Sequence, residues 1–331
     1  MKKILFPLFI LISCLLISCT NEKIEPSQLS GDLKALTEAI KKDSTNSELY
    51  FYRSQYYYDH KKIDLSLADI LKAVQLNNQQ PKYYVLLSDI NFAQKETDLA
   101  EENLQKAIQM NPKFNEPRIK LAELYYIERM YDDCVKTIDD ATKITPHNPT
   151  AYLIKAFCYK DLGDTLNYLK MLYLVKDQNP KELKAHLELG YYYQSKNDRQ
   201  AIEHYQNALQ LDPNNQELNY NLAQMYIAVG ELEKGKEQYN IVLQISEKGT
   251  YAKHALYNLA YIYFVAQKYS ETISFCSKAI ALDPSFVEAY SLRGEAYEHT
   301  NDKVNARKDY EYCLQLHPNY QPAIDGLNSL K

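Results

Sequence analysis

The sequence of 331 residues predicts an all-α fold, a solenoid of stacked two-helix repeats, and three observations carry that expectation. Six of the 12 prolines mark one register: Pro112, Pro146 and Pro180 stand 34 apart, Pro213 follows at 33, and Pro284 and Pro318 are again 34 apart. Proline has no amide hydrogen and cannot continue a helix, so a proline at a fixed period ends one helix per period. Between these prolines, small and large apolar residues recur at helical spacing. Only 8 glycines are present, too few for turn-rich β architecture or for glycine loops that cradle phosphates. Tyrosine is the outlier, with 31 copies against no tryptophan. The 38 basic and 43 acidic groups leave a net charge of −5. That balance argues against the basic face that neutralises nucleic-acid phosphates and is too mild to imply disorder.

The first element reads as an address. Lys2 and Lys3 precede an apolar run from Ile4 to Ile17, shorter than the ~20 residues of a comfortable membrane span and suited to the core of a secretory leader. Leu16-Ile17-Ser18-Cys19 resembles the bacterial lipobox, in which a peptidase cuts before a cysteine whose thiol carries a diacylglycerol. Leu11-Ile12-Ser13-Cys14 spells the same residues, but cutting there would leave an apolar run of seven residues, so Cys19 is preferred. The resemblance implies removal of residues 1–18 and lipidation of Cys19. Two or three acyl chains then hold the protein firmly on a membrane, with the outer membrane of a bacterial envelope as the expected place, facing the periplasm or the surface. Residues 19–31, with Asn21, Glu22, Glu25, Pro26 and Ser27, read as a flexible tether.

The next elements follow in register. Residues 32–46 read as an N-terminal capping helix with Leu36 and Ala39 on its apolar face. Eight repeats then fill residues 47–320, beginning near Ser47, Pro81, Asn115, Pro149, Glu182, Gln216, Lys253 and Val287. Leu121-Ala122, Tyr125, Tyr131, Cys134, Ile138, Ala141 and Pro146 recur as Leu222-Ala223, Tyr226, Gly230, Gly235, Tyr239 and Val242. The pattern returns as Leu259-Ala260, Tyr263, Tyr269, Ala279 and Pro284, then as Gly294, Tyr297, Ala306, Tyr310, Cys313 and Pro318. It resembles the tetratricopeptide repeat, whose signature is a large residue, Leu-Gly, Tyr, Ala, an aromatic, Ala and Pro over 34 positions. The resemblance implies a right-handed superhelix of helix-turn-helix units. Small residues at the eighth and twentieth positions, such as Ala122, Cys134, Ala201, Ala223, Gly235, Ala260, Gly294 and Ala306, let the two helices of a repeat approach. Departures stand at Tyr168, where a small residue is usual, at residues 195–198, where the fifth repeat is one residue short, and at residues 247–250, where the sixth carries an insertion. Residues 321–331 read as a C-terminal capping helix presenting Ala323, Ile324, Leu327 and Leu330. Caps cover the apolar ends that an array of repeats leaves open.

No catalytic or metal constellation stands out. The seven histidines include no pair spaced as helical metal ligands, and no nucleophile elbow, P-loop or EF-hand loop occurs. Acidic doublets such as Glu101-Glu102, Asp132-Asp133 and Asp139-Asp140 read as solvated helix faces. Cys134, Cys158, Cys276 and Cys313 fall at or beside small core positions and read as buried free thiols, with a Cys134–Cys158 bridge the alternative in an oxidising compartment. Neither a cofactor nor a metal site is expected.

The family resemblance implies that the first helix of each repeat lines a concave groove. The lining positions hold Phe51, Tyr58, Phe92, Tyr126, Phe157, Tyr191, Tyr220, Tyr257, Tyr261 and Phe264, with an acidic end at Glu288, Glu295 and Glu298. Tyrosine brings large contact area at low entropy cost together with a hydroxyl, which suits peptide recognition. The fifth position is Phe51, Val85, Ile119 or Leu153 and never lysine, which disfavours the clamp that chaperone-binding relatives close on a C-terminal carboxylate. The expected function is a non-catalytic scaffold that binds a protein or extended peptide at a membrane, with no nucleic acid and no small-molecule substrate. A self-associating structural subunit and a glycan-binding protein or enzyme are the competing classes.

Overall fold

The computed structural model describes residues 25–331, and among them there are helices and no strands. The leader and Cys19 lie outside the described residues. The chain divides into two compact units, one ending at Glu128 and one spanning Arg129–Lys331.

The first unit opens with a single 3-10 turn, Pro26–Leu29, followed by α1 (Leu33–Lys42), α2 (Ser47–Asp59), α3 (Ile63–Leu76), α4 (Pro81–Ala93), α5 (Thr97–Met110) and α6 (Glu116–Ile127). The 3-10 turn corrects the expectation of a wholly flexible tether. Proline starts it, the Glu25 and Gln28 side chains cap it reciprocally, and Leu29 packs against Leu36, Ile40 and Leu49. In α1 the Asp32 carboxylate caps the helix by accepting from the Ala35 amide. The apolar face of α1 is Leu36 and Ile40, both buried, while Ala39 is half-buried.

The second unit holds α7 (Tyr131–Ile144), α8 (Pro149–Asp161), α9 (Thr165–Gln178), α10 (Leu183–Ser195), α11 (Gln200–Leu211), α12 (Gln216–Ala228) and α13 (Leu232–Ile245). It continues with α14 (Ala252–Val265), α15 (Tyr269–Leu282), α16 (Val287–His299), α17 (Lys303–Leu316) and α18 (Gln321–Ser329). Helix pairs such as α8–α9, α12–α13 and α14–α15 pack most extensively, so the hairpin is the structural unit. Asn46, Asn148 and Asn215 cap first helices, and Asp164 and Asp302 cap second helices. Pro81 and Pro149 stand at first helical positions, where the missing amide hydrogen costs nothing.

One backbone feature recurs in every repeat. A residue with positive φ, between 50° and 81°, follows each first helix: Lys61, Lys95, Arg129, Gly163, Asn197, Gly230, Gln267 and Asn301. The left-handed turn reverses the chain into the second helix and hands two orphan carbonyls to amide donors. Lys95 N donates to Phe92 O and Glu96 N to Asn91 O.

The irregular repeats have local causes. Tyr168 is buried against Ala156, whose methyl makes room for the ring, and its hydroxyl reaches out to Glu188 Oε2 at 2.7 Å. In the fifth repeat the missing residue is taken out of the first turn of α11. There Ala201 N donates to Asp198 O, three residues back, whereas its counterparts Ser66 and Ala100 donate four residues back to Lys62 and Glu96. At the end of the sixth repeat, Gln216 Nε2 donates to the carbonyls of Val242 and Ser246 and so anchors the longer 246–251 connection. In the last repeat Tyr310 is wholly buried, because Gly294 and Gly326 both leave space where a methyl group would strike its ring.

Within each unit the layer of first helices is the inner one. Successive first helices touch directly at α2–α4 and α14–α16, and the last of them touches the cap at α16–α18, while successive second helices do not approach to the same extent. Layers that approach more closely along a stack lie on its concave side, so residues on the free face of the first helices line a groove.

Candidate functional site

The predicted groove aromatics divide into three groups. Phe51 is a correction: only 8 % exposed, it is stacked on Tyr83 at 5.1 Å and belongs to the core beside Ile70 and Leu86. An aromatic at the fifth helical position lies toward the next repeat when a large neighbour such as Tyr83 stands opposite. Phe92 and Tyr261 are open, at 39 % and 53 % exposure. The remaining seven, Tyr58, Tyr126, Phe157, Tyr191, Tyr220, Tyr257 and Phe264, are half-buried.

In the first unit, Phe92 borders a cleft of about 80 Å³ together with Asp89, Lys120, Glu123, Leu124 and Ile127. Lys120 Nζ donates to both Asp89 oxygens at 2.9 and 3.0 Å. Burial raises the Asp89 carboxyl above its usual range despite that lysine, and it raises Glu123 as well. Two carboxylates thus share one lysine beside an exposed phenylalanine. Asp89 and Glu123 occupy the ninth position of their repeats, the position that Tyr261 holds in the seventh, and an aromatic pattern does not reveal them.

In the second unit, tyrosine hydroxyls are bonded to carboxylates and amides of neighbouring helices. Tyr191 Oη on α10 donates to Glu217 Oε1 on α12 at 2.9 Å, and Tyr220 Oη accepts from Asn258 and Gln224, each at 3.2 Å. Glu188 accepts from Tyr168 and from Lys160 and lines a cleft of about 280 Å³ with Tyr191, Tyr192 and Ser195. Glu188 is a groove residue that the aromatic pattern does not reveal.

The far end of this unit gathers the densest set. Tyr257, Tyr261 and Phe264 stand at i, i+4 and i+7 on α14, on one helical face. Tyr257 packs on Phe286 at 5.3 Å. Phe264 meets Tyr269 and His299 edge-on at 5.7 and 5.6 Å, and Tyr269 stacks flat on His299 at 4.5 Å. Burial pushes the Tyr257 hydroxyl up to about 12, with Glu288 and Glu295 adding to the rise. Glu295 is itself raised by burial and by neighbouring Glu298, with His299 acting the other way. Glu298 is committed elsewhere: Tyr310 Oη donates to Oε2 at 2.6 Å and Ser329 Oγ to Oε1, tying α16 to the end of α18. Of the three glutamates predicted for the acidic end, Glu298 is therefore a structural acceptor, while Glu288 and Glu295 make no ion pair among the described residues.

Among the described residues no group of three or more His, Cys, Asp or Glu is placed to hold a metal ion, and no helix is long and apolar enough to cross a membrane. The chain is 29% identical over 205 residues to the DnaJ protein P58IPK homolog B of Oryza sativa subsp. japonica, a match covering 56% of this chain and 43% of the relative. It is 37% identical over 90 residues to Hsp70-Hsp90 organizing protein 2 of Arabidopsis thaliana, covering 27% of this chain and 16% of that protein. The chain thus spans less than half the length of these curated relatives. Among solved structures, a tetratricopeptide repeat protein from Parabacteroides merdae aligns with a TM-score of 0.47 at 16% identity over 76% of this chain and 98% of that one. The human IFIT1 dimer aligns with a TM-score of 0.49 at 16% identity over 86% and 67% of the two chains. Tetratricopeptide repeat models match residues 91–158, 192–256, 254–286 and 287–320, more than half of the sequence, and the chain belongs to the tetratricopeptide repeat family.

Proposed function

We propose that this protein is a non-catalytic scaffold that is held on a bacterial envelope membrane by lipid on Cys19 and seats an extended, cationic protein segment along its first-helix layer. The observation that carries the reading is the α14–α16 surface. Exposed Tyr261 and half-buried Tyr257 and Phe264 share one face of α14, and Tyr257 lies within the field of Glu288 and Glu295, which take part in no ion pair among the described residues. Rings supply apolar area for the stems of lysine and arginine side chains, and the carboxylates supply the counter-charge. Membership of the tetratricopeptide repeat family and the likeness to Hsp70-Hsp90 organizing protein 2 support a binding role, in the assembly or regulation of an envelope complex.

Titration with fluorescent extended peptides tests the groove. A lysine- and arginine-rich peptide should bind the repeat domain in a salt-dependent manner, and an acidic peptide of equal length should not. Tyr261→Ser combined with Glu295→Gln should weaken binding about tenfold or more, a loss of at least ~1.4 kcal/mol, while helix content by circular dichroism stays the same. Equal affinity for the two peptides, or undiminished binding by the double variant, overturns the reading. The anchor has its own test: Cys19→Ser should move the protein from the membrane pellet to the soluble fraction. Retention of that variant in the pellet removes the lipid anchor from the proposal.

A further inference from the structure

The α7–α8 junction holds two thiols in contact. Cys134 and Cys158 are both wholly buried, and their sulfurs lie 3.0 Å apart, with Cys158 Sγ donating to Cys134 Sγ. The other two described cysteines have no such neighbour: Cys276 sits among Ala260 and Leu292, and Cys313 donates to the Val287 carbonyl at 3.4 Å. Packing favours a small residue at the Cys134 position: Ser66, Ala100, Ala201, Gly235 and Ala306 fill the same slot in other repeats, with Thr272 and Tyr168 the larger exceptions. It does not require sulfur. The register therefore accounts for the size of Cys134 and leaves its chemistry, and the thiol placed opposite it, unexplained.

We propose that Cys134 and Cys158 form a redox-modification site, oxidised by a disulfide-bearing partner to an intramolecular disulfide that ties α7 to α8. The sulfurs need to close by only about 1 Å to reach the ~2.05 Å of a bond. The Cys158 thiolate attacks one sulfur of the oxidant RSSR and displaces one RS⁻. The Cys134 thiolate then attacks the Cys158 sulfur of the mixed disulfide and displaces the second RS⁻. The two thiol protons pass to the departing thiolates, so two cysteines are oxidised and RSSR is reduced to two RSH. The contact with Cys134 lowers the Cys158 thiol from its usual range, which makes it the attacking group, whereas burial pushes Cys276 and Cys313 up to about 12. Because both sulfurs are buried, exchange proceeds in the folding chain or when this junction opens. In a repeat array each interface contributes its own share of stability, so one covalent tie stiffens the stack locally.

Refolding the reduced, denatured full chain in a mixture of reduced and oxidised glutathione tests the site with every thiol accessible at the start. After quenching with iodoacetamide and tryptic digestion, the expected product is peptide Met130–Lys136 linked to peptide Ala156–Lys160, with Cys276 and Cys313 alkylated. Dithiothreitol should abolish the link. The oxidised protein should show a folded-to-unfolded ratio in urea on the order of a few hundred-fold higher than the reduced protein, as expected for a closed loop of this size. Cys134→Ala should show neither link nor gain. Alkylation of both Cys134 and Cys158, linkage scattered among the six cysteines, or a stable glutathione adduct on Cys158 without the link overturns the proposal. These readouts need only the wild-type chain, so a variant that fails to fold leaves the test intact.

Discussion

Arg293 holds Asp309 with two parallel hydrogen bonds, Nε to Oδ2 and Nη2 to Oδ1, both 2.8 Å, and its Nη1 reaches Ser277 Oγ on the preceding repeat at 2.9 Å. Arg53 holds Asp69 in the same way, at 2.6 and 2.8 Å. The two pairs occupy the same two positions of the first and the eighth repeat, and inner repeats replace them by pairs such as Leu87 with Asn103 and Leu259 with Phe275. Both aspartates are nearly inaccessible, at 7 % and 6 % exposure. A carboxylate so placed depends on its guanidinium, since removing one partner of a buried pair strands the other without water. Arg293→Met should therefore cost about 3–5 kcal/mol, read as a lower urea midpoint. Arg293→Met with Asp309→Leu should recover most of that loss, because two apolar groups of similar volume need no counter-charge. A double variant as unstable as the single one would show that the arginine acts through packing alone.

At the scale of the helices, the second helix α11 carries a titratable device. His204 is 3 % exposed, stacked on Tyr193 at 5.5 Å and edge-on to Tyr173 at 6.3 Å, with His186 6.0 Å away. Its Nδ1 and that of His186 have no hydrogen-bond partner. Burial, helped by the charge of Lys176, lowers its pKa to about 4. An unfolded histidine takes up its proton near 6.5, so between pH 6.5 and pH 4 the unfolded chain binds the proton and the folded chain does not. The stability contributed by the neutral imidazole is complete above pH 6.5 and falls as the solution is acidified. Between pH 7 and pH 5 the loss should be roughly 2 kcal/mol. His204→Phe should lose that part of the slope in urea titrations at the two pH values, and identical slopes would remove His204 as the cause. Helices of this kind were legible in the sequence because proline period and small-residue spacing fix where each begins and ends. The left-handed turns were not: six of the eight are occupied by lysine, arginine, glutamine or asparagine instead of glycine. Tertiary packing of the hairpin imposes that conformation against a local preference of about 1–2 kcal/mol.

At the scale of the whole molecule, the repeat pattern made the architecture readable and the groove only partly so. The pattern says which face of a first helix points inward, but it does not say which ring a neighbour covers. Phe51 is lost to the core through Tyr83 opposite it, and Glu298 is lost to Tyr310 and Ser329. Asp89, Lys120, Glu123 and Glu188 enter the grooves because pairing across helices, invisible in one repeat, holds them there. The same dependence on a neighbour governs the end of the array. Tyr310, Cys313, Val287 and Ala306 are covered by Ala323, Leu327 and Leu330 of the C-terminal cap, and the Tyr310 ring lies directly beneath Gly326. Ending the chain at Tyr320 uncovers this apolar face and frees Glu298 from Ser329. An exposed face of that kind finds another apolar surface. The truncated protein should bind an apolar dye and sediment as concentration-dependent oligomers, where the intact repeat domain does neither, and Tyr310→Asp in the truncated chain should suppress both signals by making the face polar. Monomeric sedimentation of the truncated chain at every concentration would show that α18 is dispensable and that the eighth repeat closes the stack unaided.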